Sequence, residues 1–253
     1  MTDTIIAVEK IEKYYNGRKV LNGVSFDVRR GEIFVIMGGS GCGKSTLLRV
    51  MAGGVEPSRG RIFFNGQDMS GFAGEEKEKI RRRFGMSFQS AALLDFLTVE
   101  ENVSLPLREH TRLAPEIISM IAQMKLKLVG LPGFETYLPS ELSGGMKKRA
   151  GLARAIALDP EIVFYDEPTA GLDPVVCAVI DKLIVDLTKK LKITSIVVTH
   201  NMESVFRIAD RVAMLYNGNL LQVGTAQEIR NSSDPIVQQF IKGEIEGPIQ
   251  SVD

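Results

Sequence analysis

The stretch "EIFVIMGGSGCGKSTLLRVMAGG", residues 32–54, constrains the chain more than any other. Five apolar residues, Ile33 to Met37, read as a buried strand, and the helical run after Lys44 closes near Gly53-Gly54. Between them Gly38 to Ser45 fits G-x-x-x-x-G-K-[ST] in the context that gives the motif meaning, strand before and helix after. Its glycines let consecutive backbone N–H groups close around phosphates, Lys44 brings positive charge to the β- and γ-phosphates, and Ser45 can ligate Mg²⁺. A strand, loop and helix of this kind belongs to an α/β fold.

The rest of the chain supplies the partners for such a unit. Before and just after it lie short β segments, "TIIAVEKI", "VSFDV" and "RIFFNG", separated by turn signals at Asn16-Gly17, Arg30-Gly31 and Asn65-Gly66. From about Glu75 to Gly130 the pattern is mainly helical, and the run "EEKEKIRRR" reads as a solvated helix face. After Pro139 the alternation returns. It gives a helix from Gly144 to Leu158, strand "EIVFYDE", a helix from about Pro174 to Leu191, strand "TSIVVTH", a short helix and strand "RVAMLY". Alternating strands and helices imply a mainly parallel sheet covered on both faces, with a helical insertion between its halves. "YNGNLLQVG" then reads as a hairpin turned at Asn217-Gly218. Met120 and Met124, spaced i, i+4, are expected in the core.

Composition excludes several classes of protein. Thirty-one basic residues balance thirty-one acidic ones, so no overall field points to nucleic acid or an anionic membrane surface. Cys42 and Cys177 have no metal-like spacing, and Cys42 reads as a small residue of the glycine loop. No stretch approaches the ~20 apolar residues of a membrane span, so a cytoplasmic location is expected, with any membrane crossing left to another chain.

Four further features carry chemistry. "IVFYDE", residues 162–167, places Asp166 and Glu167 at the carboxyl end of a central strand, where ligands sit in such sheets. Asp166 is expected to hold Mg²⁺ and Glu167 to orient and deprotonate the attacking water. Gln89, ending "MSFQ", can reach Mg²⁺ and that water, and His200, after the next strand, is expected beside the γ-phosphate. Ser143-Gly144-Gly145 sits where a helix begins, so its N–H groups and the helix dipole offer a second anion site.

Taken in order, "GGSGCGKST", Gln89, "LSGGM", "IVFYDE", "GLD" and His200 resemble the ATP-binding cassette family from about residue 5 to 240. The resemblance implies a RecA-like parallel-sheet core with an N-terminal antiparallel β subdomain, over about 5–88 and 158–240. It also implies an inserted α-helical subdomain carrying the signature, over about 89–157, and a C-terminal tail over 241–253. In this family two cassettes pair head to tail, each "LSGG" helix capping the γ-phosphate held by the other's phosphate loop. A homodimer that shares its ATP explains why one chain needs two anion sites.

Carried over residue by residue, the resemblance makes Tyr15 the aromatic that stacks on adenine, with Tyr14 the second candidate. Gly38, Gly39, Ser40, Gly41, Cys42, Gly43, Lys44, Ser45 and Thr46 grip the phosphates, while Ser45, Gln89 and Asp166 serve Mg²⁺. Glu167 is the general base, with His200 and Lys44 completing the catalytic group. Leu142, Ser143, Gly144, Gly145 and Met146 form the signature that meets the partner's ATP, and Asp173 runs along the dimer interface. Met146 stands where the commonest signature has glutamine, and "AGLD" replaces the commoner "SALD".

Within the family, "LSGGMKKRAGLARAI", "FQSAALLDFLTVEENVSLPLREHT", "DEPTAGLDPV" and "DPIVQQFIKGEIEGPI" resemble the ATPases of Mla-type phospholipid transport systems. That implies a permease of the MlaE kind, an MCE-domain lipid-binding protein, a small STAS-domain partner, and a place on the cytoplasmic face of a bacterial inner membrane. The tail after Phe240 is expected to reach the partner cassette. Two other readings stay open: an ATPase serving a transporter of another solute, and a cassette protein acting on ribosomes or DNA. Against the second stand the single cassette and the absence of a basic excess.

Overall fold

The computed structural model describes residues 3–72 and 74–249. The chain forms two compact units, one of Met1–Phe72 with Val198–Asp253 and the other Ala73–Val197.

The first unit opens with β1 (Thr4–Tyr15) and β2 (Arg18–Arg29), an antiparallel hairpin turned at Asn16-Gly17, both at positive φ. Mirror-image turns of this kind match the twist of the strands they join. The alternation read from sequence ends β1 at Ile11, yet the strand continues to Tyr15. Lys10 makes this possible: its φ of 48° lies at a register shift between Val8 and Ile11, a bulge that returns Ile11 to the buried side. β3 (Ile33–Met37) is buried along its whole length, as an unbroken apolar run requires when both faces are covered. The glycine loop and α1 (Lys44–Met51) follow it. β4 (Arg59–Phe64) pairs antiparallel with β1, and short β5 (Gln67–Asp68) completes a sheet of order β2-β1-β4-β5.

The second unit begins with α2 (Gly74–Arg81), whose only buried residue is Ile80, as a solvated charged helix should have. β6 (Phe84–Ser87) follows, then α3 (Val99–His110) and α4 (Pro115–Leu128). α3 starts in a reciprocal cap, with Thr98 Oγ1 accepting from Glu101 N–H and the Glu101 carboxylate accepting from Thr98 N–H. α4 buries Ile118, Ala122, Lys125 and Leu126, which turns Met120 and Met124 outward at 58% and 53% exposure. The core role expected of these two methionines is therefore corrected. Their i, i+4 spacing fixes that they share a face, and the branched Ile118 with small Ala122 took the other one inward.

α5 (Gly144–Ala155) ends three residues before the expected Leu158. Its last turn tightens into i→i+3 bonds, Ala157 N–H to Arg154 O and Asp159 N–H to Ile156 O, ahead of Pro160, which disfavours helix in the residue before it. β7 (Ile162–Asp166) runs parallel to β6, with Phe84 opposite Ile162 and Ser87 opposite Tyr165. α6 (Pro174–Leu191) matches its expected bounds. The division between the units falls inside β8 (Thr194–Thr199), the neighbour of β7.

Back in the first unit come α7 (Met202–Ile208), β9 (Arg211–Tyr216) and β10 (Asn219–Thr225). β9 lies parallel to β3, and β10 returns antiparallel through Asn217-Gly218, again both at positive φ. α8 (Ala226–Arg230) and α9 (Pro235–Lys242) follow. Beyond α9 the chain folds back on Gln239. Its side-chain amide donates to Glu244 O (3.2 Å) and Ile249 O (3.1 Å) and accepts from Ile249 N–H (2.7 Å). Of the tail expected to reach a partner, residues 250–253 lie outside the described residues.

Candidate active site

In the first unit, the loop from Gly38 to Gly43 joins β3 to α1. Gly38 sits at φ 150°, and a Cβ there would lie 2.2 Å from Leu215 O, so backbone packing alone demands glycine. Lys44, 7% exposed at the first position of α1, donates from Nζ to Gly38 O and Gly39 O at 2.9 Å each. The ammonium is thus folded back over the loop that precedes it, where an arriving phosphate can replace carbonyl acceptors. Ser40 is exposed, Gly39 half-buried, and Ser45 and Thr46, half-buried, occupy the first turn of α1. Cys42 is buried, and burial pushes its thiol above the ordinary range, which keeps it protonated and suits the packing role read from sequence.

The two tyrosines at the end of β1 differ in how they are held. The Tyr14 hydroxyl donates to Glu12 at 3.1 Å, and Lys19 Nζ lies 5.4 Å from its ring centre. Tyr15, 43% exposed, makes a ring contact with Lys13 Nζ at 5.1 Å. Each ring thus has a lysine ammonium beside it, and both tyrosines are exposed. His200 follows β8 and is exposed, and Asn201 after it caps α7 by accepting from Ser204 N–H at 3.1 Å.

The second unit carries the remaining candidates. Ser143 caps α5, its hydroxyl accepting from Met146 N–H at 3.3 Å, so Gly144 and Gly145 form an exposed to half-buried helix start beside buried Leu142. Asp166 and Glu167 close β7 with only 6% and 8% exposure. Glu167 has φ 49°, a left-handed conformation uncommon for a residue with a side chain. Gln89 is exposed just after β6, and the next turn holds Ala91 and Ala92 at φ 61° and 48°. Asp173, expected along a dimer interface, caps its own helix here, accepting from Val175 and Val176 N–H at 3.0 Å.

Sequence reasoning missed Lys148. This 7%-exposed ammonium donates to Gln89 O and to Glu167 O (3.2 Å), bringing the glutamine segment and the acidic strand end together through their backbones. Burial pulls its pKa below the ordinary lysine value, with the charge of Glu167 opposing that shift. Nothing in "GGMKKRAGLARA" distinguishes it from its exposed-looking neighbours, because its acceptors exist only once the distant loops have folded.

A glycine loop ending β3 with a lysine at the start of its helix, in a chain with an acidic pair ending β7, defines a phosphate-loop nucleotide-binding protein. Comparison with known proteins narrows this. The family model described as ABC transporter matches residues 21–170. Over 250 residues, 99% of this chain and 95% of the relative, the chain is 42% identical to the intermembrane phospholipid transport system ATP-binding protein MlaF of Haemophilus influenzae. It is 40% identical over 244 residues, 96% of this chain and 70% of the relative, to the probable ribonucleotide transport ATP-binding protein mkl of Mycobacterium leprae. Among solved structures, a dimeric ATP-binding cassette in a post-hydrolysis state with ADP and Pi superposes with TM-score 0.80 at 31% identity, covering 87% of this chain and 98% of that one. The chain belongs to the ABC transporter family and is an ATP-hydrolysing cassette. The α/β fold with a parallel sheet, an antiparallel sheet and inserted helices is the one the sequence led us to expect.

Proposed function

We propose that this chain is the ATP-hydrolysing subunit of a system that moves phospholipid between membranes, working as a homodimer on a separate permease. The observation that carries this reading is the 42% identity to the MlaF protein along nearly the whole chain. In this reading Gly38 to Thr46 hold the ATP phosphates, Tyr15 stacks on adenine, and Ser143 to Met146 meet the ATP of the partner subunit. Glu167 takes the proton of the attacking water, while His200 and Lys44 fix the γ-phosphate. Catalysis is then mainly positioning and charge stabilisation.

The hydroxyl of Ser45, the amide oxygen of Gln89 and the carboxylate of Asp166 are hard oxygen donors, a set that fits Mg²⁺. Bound there with ATP, Mg²⁺ would neutralise charge on the phosphates. Glu167, the residue after Asp166, has a left-handed backbone and is the one assigned to the water.

Among the described residues no helix is long and apolar enough to cross a membrane, in keeping with a separate permease of the MlaE kind and a peripheral place at the inner membrane's cytoplasmic face. An MCE-domain protein would carry lipid beyond that membrane. For a STAS-domain partner on the cassette, α4 offers a surface: Leu113 before it and Ile117, Met120, Met124 and Leu128 along it form an exposed apolar stripe.

The mycobacterial relative, with its name in ribonucleotide transport, favours a second reading in which the same ATPase serves a polar solute. Purification of the tagged chain from gently solubilised native membranes, with mass spectrometry of proteins and lipids, separates the two. A polytopic permease with an MCE-domain protein and enriched phospholipid is the expected result. A permease with a soluble-solute binding protein would overturn the lipid assignment and keep the ATPase.

A further inference from the structure

Nine described non-glycine residues have left-handed backbone, and six of them are Lys10, Asn16, Asn65, Asp159, Lys192 and Asn217. The other three, Ala91, Ala92 and Glu167, sit beside proposed catalytic groups, and each has its carbonyl held by a cation from α5. Lys148 Nζ donates to Glu167 O and also to Gln89 O. Arg154 donates from one guanidinium nitrogen to Ala91 O and from the other to Ala92 O, both at 2.7 Å. Gly151 lies between them in sequence, and a Cβ there would come within 3.2 Å of Ala91 Cβ. Residues 148, 151 and 154 recur every three positions, so they share one face of the helix.

Left-handed conformations of this kind are strained and persist only where surrounding structure enforces them. Charge-assisted hydrogen bonds are strong enough to do so. Lys148 grips both segments at once.

We infer that Lys148 is a positioning residue for ATP hydrolysis: it fixes the backbone that aims the Glu167 carboxylate and ties it to the Gln89 segment, from the helix that Ser143 caps. The inference rests on the proposed role of Glu167 as general base. Lys148 touches neither ATP nor the attacking water. Its loss should therefore lower turnover and spare ATP binding, because the phosphate loop belongs to other residues.

The test compares wild type, Lys148→Met, Lys148→Arg and Glu167→Gln as full chains within the complex purified from membranes, measuring kcat, KM for ATP, binding of a fluorescent ATP analogue, and Tm. Lys148→Met is expected to lower kcat by about 10- to 100-fold, the scale of a small misplacement of a reacting group. KM and analogue binding should stay near wild type, as expected when an interaction serving only the chemical step is lost. Lys148→Arg, which keeps a cation with several donors, should recover most of kcat. Unchanged kcat in Lys148→Met while Glu167→Gln is inactive overturns the positioning role and leaves the general base standing. Full activity in Glu167→Gln overturns the general base and this inference with it. Equal losses in Lys148→Met and Lys148→Arg, accompanied by a lowered Tm, also overturn the inference, since they mark a structural residue. Lys148→Gln, neutral but still a donor, is measured alongside in case methionine is not tolerated at this site. It should fall between methionine and arginine, and wild-type kcat in it would exclude a need for the cation.

Discussion

The phosphate loop of the first unit and the Gln89–Ala92 and Glu167 segments of the second solve the same problem by opposite means. Both need left-handed backbone where substrate chemistry is proposed to occur. The phosphate loop assigns those conformations to glycines, Gly38, Gly41 and Gly43, and satisfies itself with its own lysine. The second unit places alanines and a glutamate there and holds them with Lys148 and Arg154 from a helix about sixty residues distant in sequence from the alanines. A loop whose glycines adopt left-handed backbone without strain needs no distant cation to enforce it. A loop held from elsewhere is only as ordered as the element that holds it.

Exchanging the devices breaks the comparison at different strengths. The largest effect is expected of Glu167→Gln, where loss of a general base should cut turnover by about 10²- to 10⁴-fold. ATP binding should survive and an ATP-bound dimer accumulate, read by size-exclusion chromatography. Monomers at saturating ATP and Mg²⁺ would contradict a shared site. Gly38→Ala should come next. Its Cβ would collide with Leu215 O, and strain with overpacking of about 2–5 kcal/mol should lower ATP affinity by about 100-fold or more. Near-normal affinity in an analogue titration would show that the loop adapts more than its geometry implies.

Smaller effects sharpen the contrast. Ala92 is exposed at φ 48°, so Ala92→Gly relieves strain where alanine-to-glycine changes usually cost about 0.5–1 kcal/mol. Denaturant unfolding should show stability unchanged or slightly raised, and a full loss would mean the left-handed turn carries no strain. The smallest effect concerns Glu101. Its acceptance of the Thr98 N–H, the main cause, holds its carboxyl below the usual range. A carboxyl whose pKa is depressed by folding stabilises above its unfolded value, near 4.5, and loses that contribution as pH falls through the folded value. Glu101→Gln should therefore slightly reduce the fall in urea midpoint between neutral pH and pH ~3.5. An identical fall in both proteins would remove the cap from the acid response.

The same contrast explains how much could be read from sequence. Locally encoded features were legible: the glycine loop, the unbroken apolar runs of β3 and β7, the Asn-Gly hairpin of β9 and β10, and the α6 bounds. Features made by distant partners were not. The Lys10 bulge depends on what β1 pairs with, and the outward face of Met120 and Met124 depends on which side of α4 packs better. The end of α5 depends on a last turn that tightens ahead of Pro160. Among the site residues, the motif positions were found because their chemistry is written in neighbouring letters. Lys148 was missed because its acceptors are carbonyls, which every residue has.

Gln239 gives the order of residues 244–249 a kinetic character. One amide supplies both the donors and the acceptor that secure Glu244 and Ile249, so these bonds have a common hinge and share one lifetime. Rotation of that single side chain releases all of them together while Glu244 N–H stays on the Gln239 carbonyl, so the Ile249 end should open in one event. A segment stitched by many independent bonds would instead fray from its end.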